Sequence, residues 1–88
     1  MPPQSRMELE ITEAEYKRNL EKAEKLGRKK GMADAYGKLG TVYITLGHLD
    51  KAEDMFKKSL QLFAATGAGQ MVELLQEMLA NLKKRKVS

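Results

Sequence analysis

The sequence contains no cysteine and no tryptophan, a single histidine and two prolines. The lack of cysteine excludes disulfide bonds and thiolate catalysis, and it is consistent with the reducing cytoplasm. The single histidine, His48, excludes a metal site built from several histidines of one copy, and no nucleophile, acid and base occur at spacings that suggest catalysis. We therefore predict a cytoplasmic protein that is not an enzyme and has no catalytic residue, metal site or cofactor.

Long apolar runs are also missing. No run approaches the roughly 20 residues that a membrane-spanning helix requires, and residues 1–6 lack the apolar segment of a secretory signal. A chain of 88 residues forms one domain at most and buries only about 60% of its unfolded surface. We predict a flexible tail over residues 1–7, a single domain over residues 8–88 and no membrane partner.

The positive charge is concentrated in two clusters. The net charge is +4, and basic residues fill positions 28–30 and 83–86. Both clusters lie where we expect helices to end, and cations at a helix C-terminus are stabilised by about 0.3–1 kcal/mol each. This structural explanation leaves two alternatives open, namely an anionic partner such as a nucleic acid and a targeting signal.

Four segments have the apolar periodicity of an α-helix. The predicted helices are residues 10–26, 32–46, 51–66 and 70–85. Gly27, Gly47 and Gly67 each follow the last apolar residue of a segment. A helix commonly ends at such a position in a left-handed cap, which glycine adopts without a side-chain penalty. The sequence therefore predicts an all-α protein with glycine-terminated helices.

Two of the helix starts contain a capping pattern. A hydroxyl or carboxylate residue followed three positions later by glutamate satisfies the first backbone N–H groups of a helix. Thr12 with Glu15 and Asp50 with Glu53 have this spacing. We therefore predict that Thr12 caps the first helix and that Asp50 caps the third.

The sequence also repeats itself. A shift of 40 residues places Leu9 on Leu49, Tyr16 on Phe56, Leu20 on Leu60 and Gly27 on Gly67. The same shift carries the second predicted helix onto the fourth. We therefore predict a half repeat over residues 8–31, a complete repeat over residues 32–67, and a half repeat or capping helix with a basic tail over residues 68–88.

Residues 33–64 carry a pattern of large and small side chains that resembles a tetratricopeptide repeat. The residues that carry the resemblance are Tyr36, Leu39, Gly40, Tyr43, Ala52, Phe56 and Ser59. Ala64 departs from the family pattern, since proline is frequent there. The period of 40 residues is similar to that of kinesin light chains and G-protein signalling modulators. The resemblance implies a short stack of about four antiparallel helices, an α-α superhelix in which these residues pack within and between repeats.

The resemblance also implies a function. Such stacks are protein-interaction scaffolds that bind a peptide or a partner helix on the concave face formed by the first helices of the repeats. The residues that this implies for the concave face are Asp34, Lys38, Thr41, Ile44, Thr45, Leu74, Glu77, Met78, Asn81 and Arg85. Gly37 and Thr41 stand where family members that bind acidic chaperone tails have lysine and asparagine, so the resemblance does not extend to that binding mode.

Two alternatives remain open at this stage. The last predicted helix has a wide apolar stripe, which favours a self-assembly module that forms homo-oligomers such as dimers. The stripe consists of Met71, Leu74, Leu75, Met78 and Leu82. The same observation fits a segment of a longer repeat array. The second alternative is nucleic-acid binding through the two basic clusters.

Overall fold

The computed structural model describes residues 5–87, which form four α-helices. They are α1 (Arg6–Lys25), α2 (Lys29–Leu46), α3 (Leu49–Ala65) and α4 (Gly69–Val87). Turns of two or three residues connect them, so each helix runs antiparallel to the one before it. Within residues 5–87, only consecutive helices pack against each other. This architecture confirms the predicted all-α stack of antiparallel helices.

The predicted glycine caps are confirmed. Gly27, Gly47 and Gly67 have φ angles of +66°, +82° and +76°, which lie in the left-handed region where a side chain is strained. Each glycine follows a helix end, and its neighbours donate backbone hydrogen bonds to carbonyl groups of the last turn. The three turns are therefore tight, and they hold consecutive helices side by side.

The start of α1 differs from the prediction. Ser5 is the N-cap, and its Oγ accepts a hydrogen bond from the Glu8 backbone N–H at 3.1 Å. Thr12 lies inside the helix, where its hydroxyl donates to the Glu8 carbonyl at 2.9 Å. Arg6 and Met7 thus belong to the first turn of α1 instead of to the predicted tail. Residues 1–4 of that tail lie outside the described residues.

The start of α3 also differs, because the helix begins at Leu49 with His48 in the N-cap position. Asp50 is therefore in the first turn, where it pairs with another helix instead of capping its own. Its carboxylate lies 2.6 Å from the Lys86 Nζ at the end of α4, and Glu53 lies 3.6 Å from the same ammonium. The hydrogen bond from Lys86 lowers the pKa of Asp50. The C-terminal end of α4 is thus tied to the N-terminal end of α3.

The explanation offered for the basic cluster at residues 28–30 is wrong. Arg28 is the N-cap of α2, and Lys29 and Lys30 form its first turn, where the helix dipole repels cations. The prediction holds for the other cluster, since Lys84, Arg85 and Lys86 lie in the last turn of α4.

The core lies along the α2–α3 hairpin. Phe56 is fully buried beneath Gly40, where a Cβ atom would lie 2.7 Å from the phenyl ring. The Ser59 hydroxyl, also fully buried, donates a hydrogen bond of 2.7 Å to the Ala33 carbonyl. Of the seven residues that carry the repeat resemblance, six are buried and Tyr36 is half-buried. Small residues therefore let α2 and α3 approach closely around one aromatic ring.

A polar contact links α1 to this core. The Tyr43 hydroxyl, on a largely buried ring, donates a hydrogen bond of 2.6 Å to the Glu13 carboxylate. The Lys17 Nζ lies 3.1 Å from the same carboxylate. The hydrogen bond from Tyr43 is the main cause that lowers the pKa of Glu13, against the opposing effect of burial.

This contact predicts a pH dependence of stability. Because the pKa of Glu13 is lower in the folded chain, its stabilisation is present above the unfolded pKa and is lost as the pH falls through the folded value. We expect Glu13→Gln to flatten the loss of unfolding free energy between about pH 6 and about pH 3. Urea unfolding at a series of pH values measures this slope.

The matched control is Glu21→Gln, which makes the same change at an exposed position of α1. We expect this variant to retain the slope of the parent chain. Equal slopes for Glu13→Gln and the parent would show that the Tyr43 contact contributes nothing to acid stability.

Candidate functional site

A groove runs between α2 and α4, which both pack on α3 without touching each other. We call it the main groove, with a volume of about 190 Å³. Phe56, Ser59 and Phe63 of α3 form its floor, and Met71, Leu74, Leu75 and Met78 of α4 form one wall. The other wall consists of Ala33, Asp34, Gly37, Lys38 and Thr41 of α2. The floor and one wall are thus almost entirely apolar.

The α2 wall carries the polar groups of the main groove. The Lys38 Nζ lies 3.1 Å from the Asp34 carboxylate, and this hydrogen bond raises the pKa of Lys38. The same ammonium lies 5.7 Å from the centre of the Tyr16 ring of α1, within cation–π range. The Thr41 hydroxyl donates to the Gly37 carbonyl of its own helix. The rim of the groove therefore carries an ion pair with no net charge and a hydroxyl group that already donates a hydrogen bond.

A second groove lies on the other side of α2. We call it the open groove, with a volume of about 250 Å³. Leu9, Thr12 and Tyr16 of α1 line one side, and Lys38, Thr41, Val42 and Thr45 of α2 line the other. Lys38 and Thr41 belong to both grooves, so α2 forms a ridge between them.

The structure brings half of the predicted concave residues together. The five that line the main groove are Asp34, Lys38, Thr41, Leu74 and Met78. Thr45 lines the open groove instead. Ile44 is half-buried against the core. Glu77, Asn81 and Arg85 are exposed on α4 and line neither groove.

The floor of the main groove consists of side chains with almost no exposed surface, since Phe56 and Ser59 are 0% exposed and Phe63 is 9% exposed. The repeat resemblance assigns Phe56 and Ser59 to packing, and no predicted set of residues contains Phe63. The spacing of Phe56, Ser59 and Phe63 along one face of α3 was the available signal. It indicates a buried face of α3, which forms the base of a groove because α2 and α4 lie apart.

Two of the residues predicted for self-association are not accessible. Leu75 and Leu82 are only 2% and 1% exposed, because they face α3 and complete the core. Met71, Leu74 and Met78, the other members of that predicted surface, face the main groove. The wide apolar stripe of α4 is thus divided between the core and the groove.

The described part of the chain contains two basic clusters, but neither a metal-binding group nor a membrane-spanning helix. Within residues 5–87, no group of three His, Asp or Glu side chains is placed to hold a metal ion, and no helix is long and apolar enough to cross a membrane. One basic cluster lies at the start of α2 and the other at the end of α4. Because α2 and α4 run in the same direction, the two clusters lie at opposite ends of the helices. They do not form one continuous basic surface.

The chain matches a protein-family model. A model described as tetratricopeptide repeat matches residues 5–65, a span that contains all of α1, α2 and α3. Searches of curated proteins and of solved structures gave no match. The match covers more than half of the chain and contains both helices of the central hairpin.

Proposed function

Since the chain belongs to the tetratricopeptide repeat family, whose modules are in general protein-interaction scaffolds, we propose that it binds a peptide or a partner helix in the main groove. Modules of this family are usually not catalytic, and no enzyme family matches the chain. The cytoplasmic location stays a prediction.

One observation carries this proposal. The main groove exposes large apolar side chains at its wall, with Leu74 47% exposed and Met71 37% exposed. Methionine is unbranched and adapts to the shape of a bound side chain. A cavity of about 150 Å³ lined by aliphatic residues holds a benzene molecule, so the main groove has room for one aromatic or branched aliphatic side chain of a partner.

The shape of the groove favours an elongated occupant. Its two walls are parallel helices, α2 and α4, and an amphipathic helix or extended peptide fits along such a groove with its apolar side chains toward the floor. Asp34 and Lys38 on the rim neutralise each other. The partner therefore presents an apolar face to Leu74 and polar residues to the rim.

Selection from a library of random peptides on the immobilised chain tests this proposal. We expect the selected peptides to contain spaced apolar residues and to lose binding to Leu74→Asp by about 30-fold or more, which corresponds to about 2 kcal/mol at a hot spot. Fluorescence anisotropy with labelled peptides measures the affinities, and circular dichroism verifies that Leu74→Asp is folded.

Ile11→Asp is the matched control, because Ile11 is 55% exposed on α1 and lines neither groove. We expect it to bind the selected peptides like the parent chain. Peptides that bind Leu74→Asp as tightly as the parent, or a selection without enrichment, would contradict the proposal.

The alternatives are less well supported. Self-assembly through the apolar stripe of α4 is not favoured, because those side chains face the core or the main groove. Nucleic-acid binding stays a prediction without a supporting observation, since the basic clusters lie apart. The repeat boundaries at residues 31 and 67 stay predictions, and so does a role as part of a longer repeat array.

A further inference from the structure

Helix α1 corresponds to α3 in the repeat, because each is the second helix of its unit. Within residues 5–87, α3 has two neighbouring helices, α2 and α4, whereas α1 has only α2. The 40-residue shift places Thr12, Tyr16 and Asn19 of α1 on Ala52, Phe56 and Ser59 of α3. The three α3 residues are fully buried, because α2 covers them. Among residues 5–87 no helix covers the corresponding face of α1, because α2 packs on a different face of that helix. Thr12 and Tyr16 are therefore half-buried and Asn19 is exposed. We call this face the α1 surface.

Helix α4 also has only one neighbouring helix within residues 5–87, namely α3. The same shift places it on α2, and the face of α2 that packs on α3 corresponds to Gln76, Leu79, Ala80 and Lys83. Leu79 is half-buried and the other three are exposed. We call this face the α4 surface. The two surfaces are the two halves of one helical hairpin that the described chain does not close on itself.

We propose that the α4 surface of one copy packs antiparallel on the α1 surface of a second copy, as α2 packs on α3, so that chains associate head to tail. The small residue required at the centre is present. Gly40 lies over Phe56 within the chain, and Ala80 occupies the matching position over Tyr16 of the next copy. This inference is independent of what the main groove binds.

The charges at the two surfaces are complementary. Glu8 and Glu15 are exposed on the N-terminal half of α1, whereas Lys83 and Lys84 are exposed at the end of α4. Antiparallel packing brings the end of α4 beside the start of α1. A similar charge pattern occurs at a different interface within the chain, where Lys86 at the end of α4 pairs with Asp50 and Glu53 at the start of α3.

Association would also complete the open groove. In one copy this groove has a floor on α1 and one wall on α2, and the position of its second wall is empty of any helix among residues 5–87. The packed α4 supplies that wall. Glu77 and Asn81 correspond to Gly37 and Thr41 of the main groove, so they line the completed groove. Two exposed residues that face neither groove in one copy thereby become groove residues.

Two blocking variants test the proposal. Ala80→Arg blocks the α4 surface, and Thr12→Arg blocks the α1 surface with bulk and with a charge that repels Lys83. Light scattering measures the solution mass. The mass of the parent chain is expected to rise with concentration beyond that of a dimer, and to fall between about 0.1 M and about 1 M salt, where the Debye length shrinks from about 10 Å to about 3 Å.

Each variant alone is expected to remain monomeric, whereas an equimolar mixture forms dimers and nothing larger. The mixture contains one intact surface of each kind, so a single junction can form. Ala14→Arg, at an exposed position on another side of α1, is the matched control and associates like the parent. Asn19→Arg, also exposed, provides a second block of the α1 surface if Thr12→Arg proves unfolded by circular dichroism.

Three outcomes would overturn the proposal. The first is a parent chain that is monomeric at every concentration and at both salt concentrations. The second is a Thr12→Arg chain that still forms dimers, because that result shows that association does not need the α1 surface. The third is a mixture of the two variants that stays monomeric. None of these outcomes affects peptide binding in the main groove, so the two proposals fail separately.

Discussion

Phe56→Ala is expected to lower the free energy of unfolding by about 3–5 kcal/mol, the usual effect of truncating a buried aromatic residue. Phe56 is the largest of the fully buried side chains, and it contacts the position of Gly40 on the facing helix. Native proteins are stable by only about 5–15 kcal/mol, and small domains lie at the low end. The variant should therefore be largely unfolded or close to it. Urea unfolding followed by circular dichroism measures the loss.

Leu26→Ala is the control for this prediction. It removes an apolar side chain from the connection between α1 and α2, where Leu26 is 56% exposed. We expect its effect to stay within about 0.5 kcal/mol, as for most surface substitutions. A small loss for Phe56→Ala would mean that the α2–α3 hairpin repacks around the cavity, which would contradict a core centred on this ring.

Gly40→Ala is expected to lower the free energy of unfolding by about 1–3 kcal/mol, the range for overpacking a core. Alanine favours a helix over glycine by about 1 kcal/mol, so intrinsic propensity alone predicts the opposite sign. The Cβ atom of an alanine at this position would lie between 2.7 and 2.9 Å from three carbons of the Phe56 ring. The ring is fully buried, so the Phe56 ring or the two helices must shift to accommodate the added atom. Chemical unfolding gives the sign directly.

Gly37→Ala provides the matched control one turn away on the same helix. A Cβ atom there would lie 3.4 Å from the Ser59 Oγ, which is an ordinary van der Waals contact. We expect this variant to be more stable than the parent by up to about 1 kcal/mol. If the two alanine variants shifted stability in the same direction, the close approach of α2 and α3 at Gly40 would be in doubt.

The sequence was sufficient to predict the four helices and the ends of the first three. Apolar periodicity located the helices, and Gly27, Gly47 and Gly67 marked their ends because left-handed backbone strongly favours glycine. The starts were predicted less well. Ser5 and Glu8 have the same capping pattern as Thr12 and Glu15, and the helix starts at the earlier pair, so that Leu9 lies inside α1 and is buried. Asp50 lies in the first turn of α3 and pairs with Lys86 at the end of α4 instead of capping its own helix.

The candidate site was only partly predictable. The α2 wall of the main groove followed from the repeat resemblance, because its residues share one helix face. The floor could not be inferred, since it depends on the distance between α2 and α4, which never contact each other. The apolar stripe of α4 was predicted for self-association because its width is visible in the sequence. The division of that stripe between core and groove is set by packing on α3.

The packing of each helix only on its sequence neighbours determines how this chain acquires and loses its structure. Within residues 5–87, contacts between helices join each helix to its neighbour in sequence, and folds rich in such contacts form rapidly because little loop entropy is lost before the first contacts form. The stack then behaves as a row of coupled interfaces. Opening at either end releases one helix while the central hairpin persists, so amide hydrogens in α2 and α3 should exchange with solvent last.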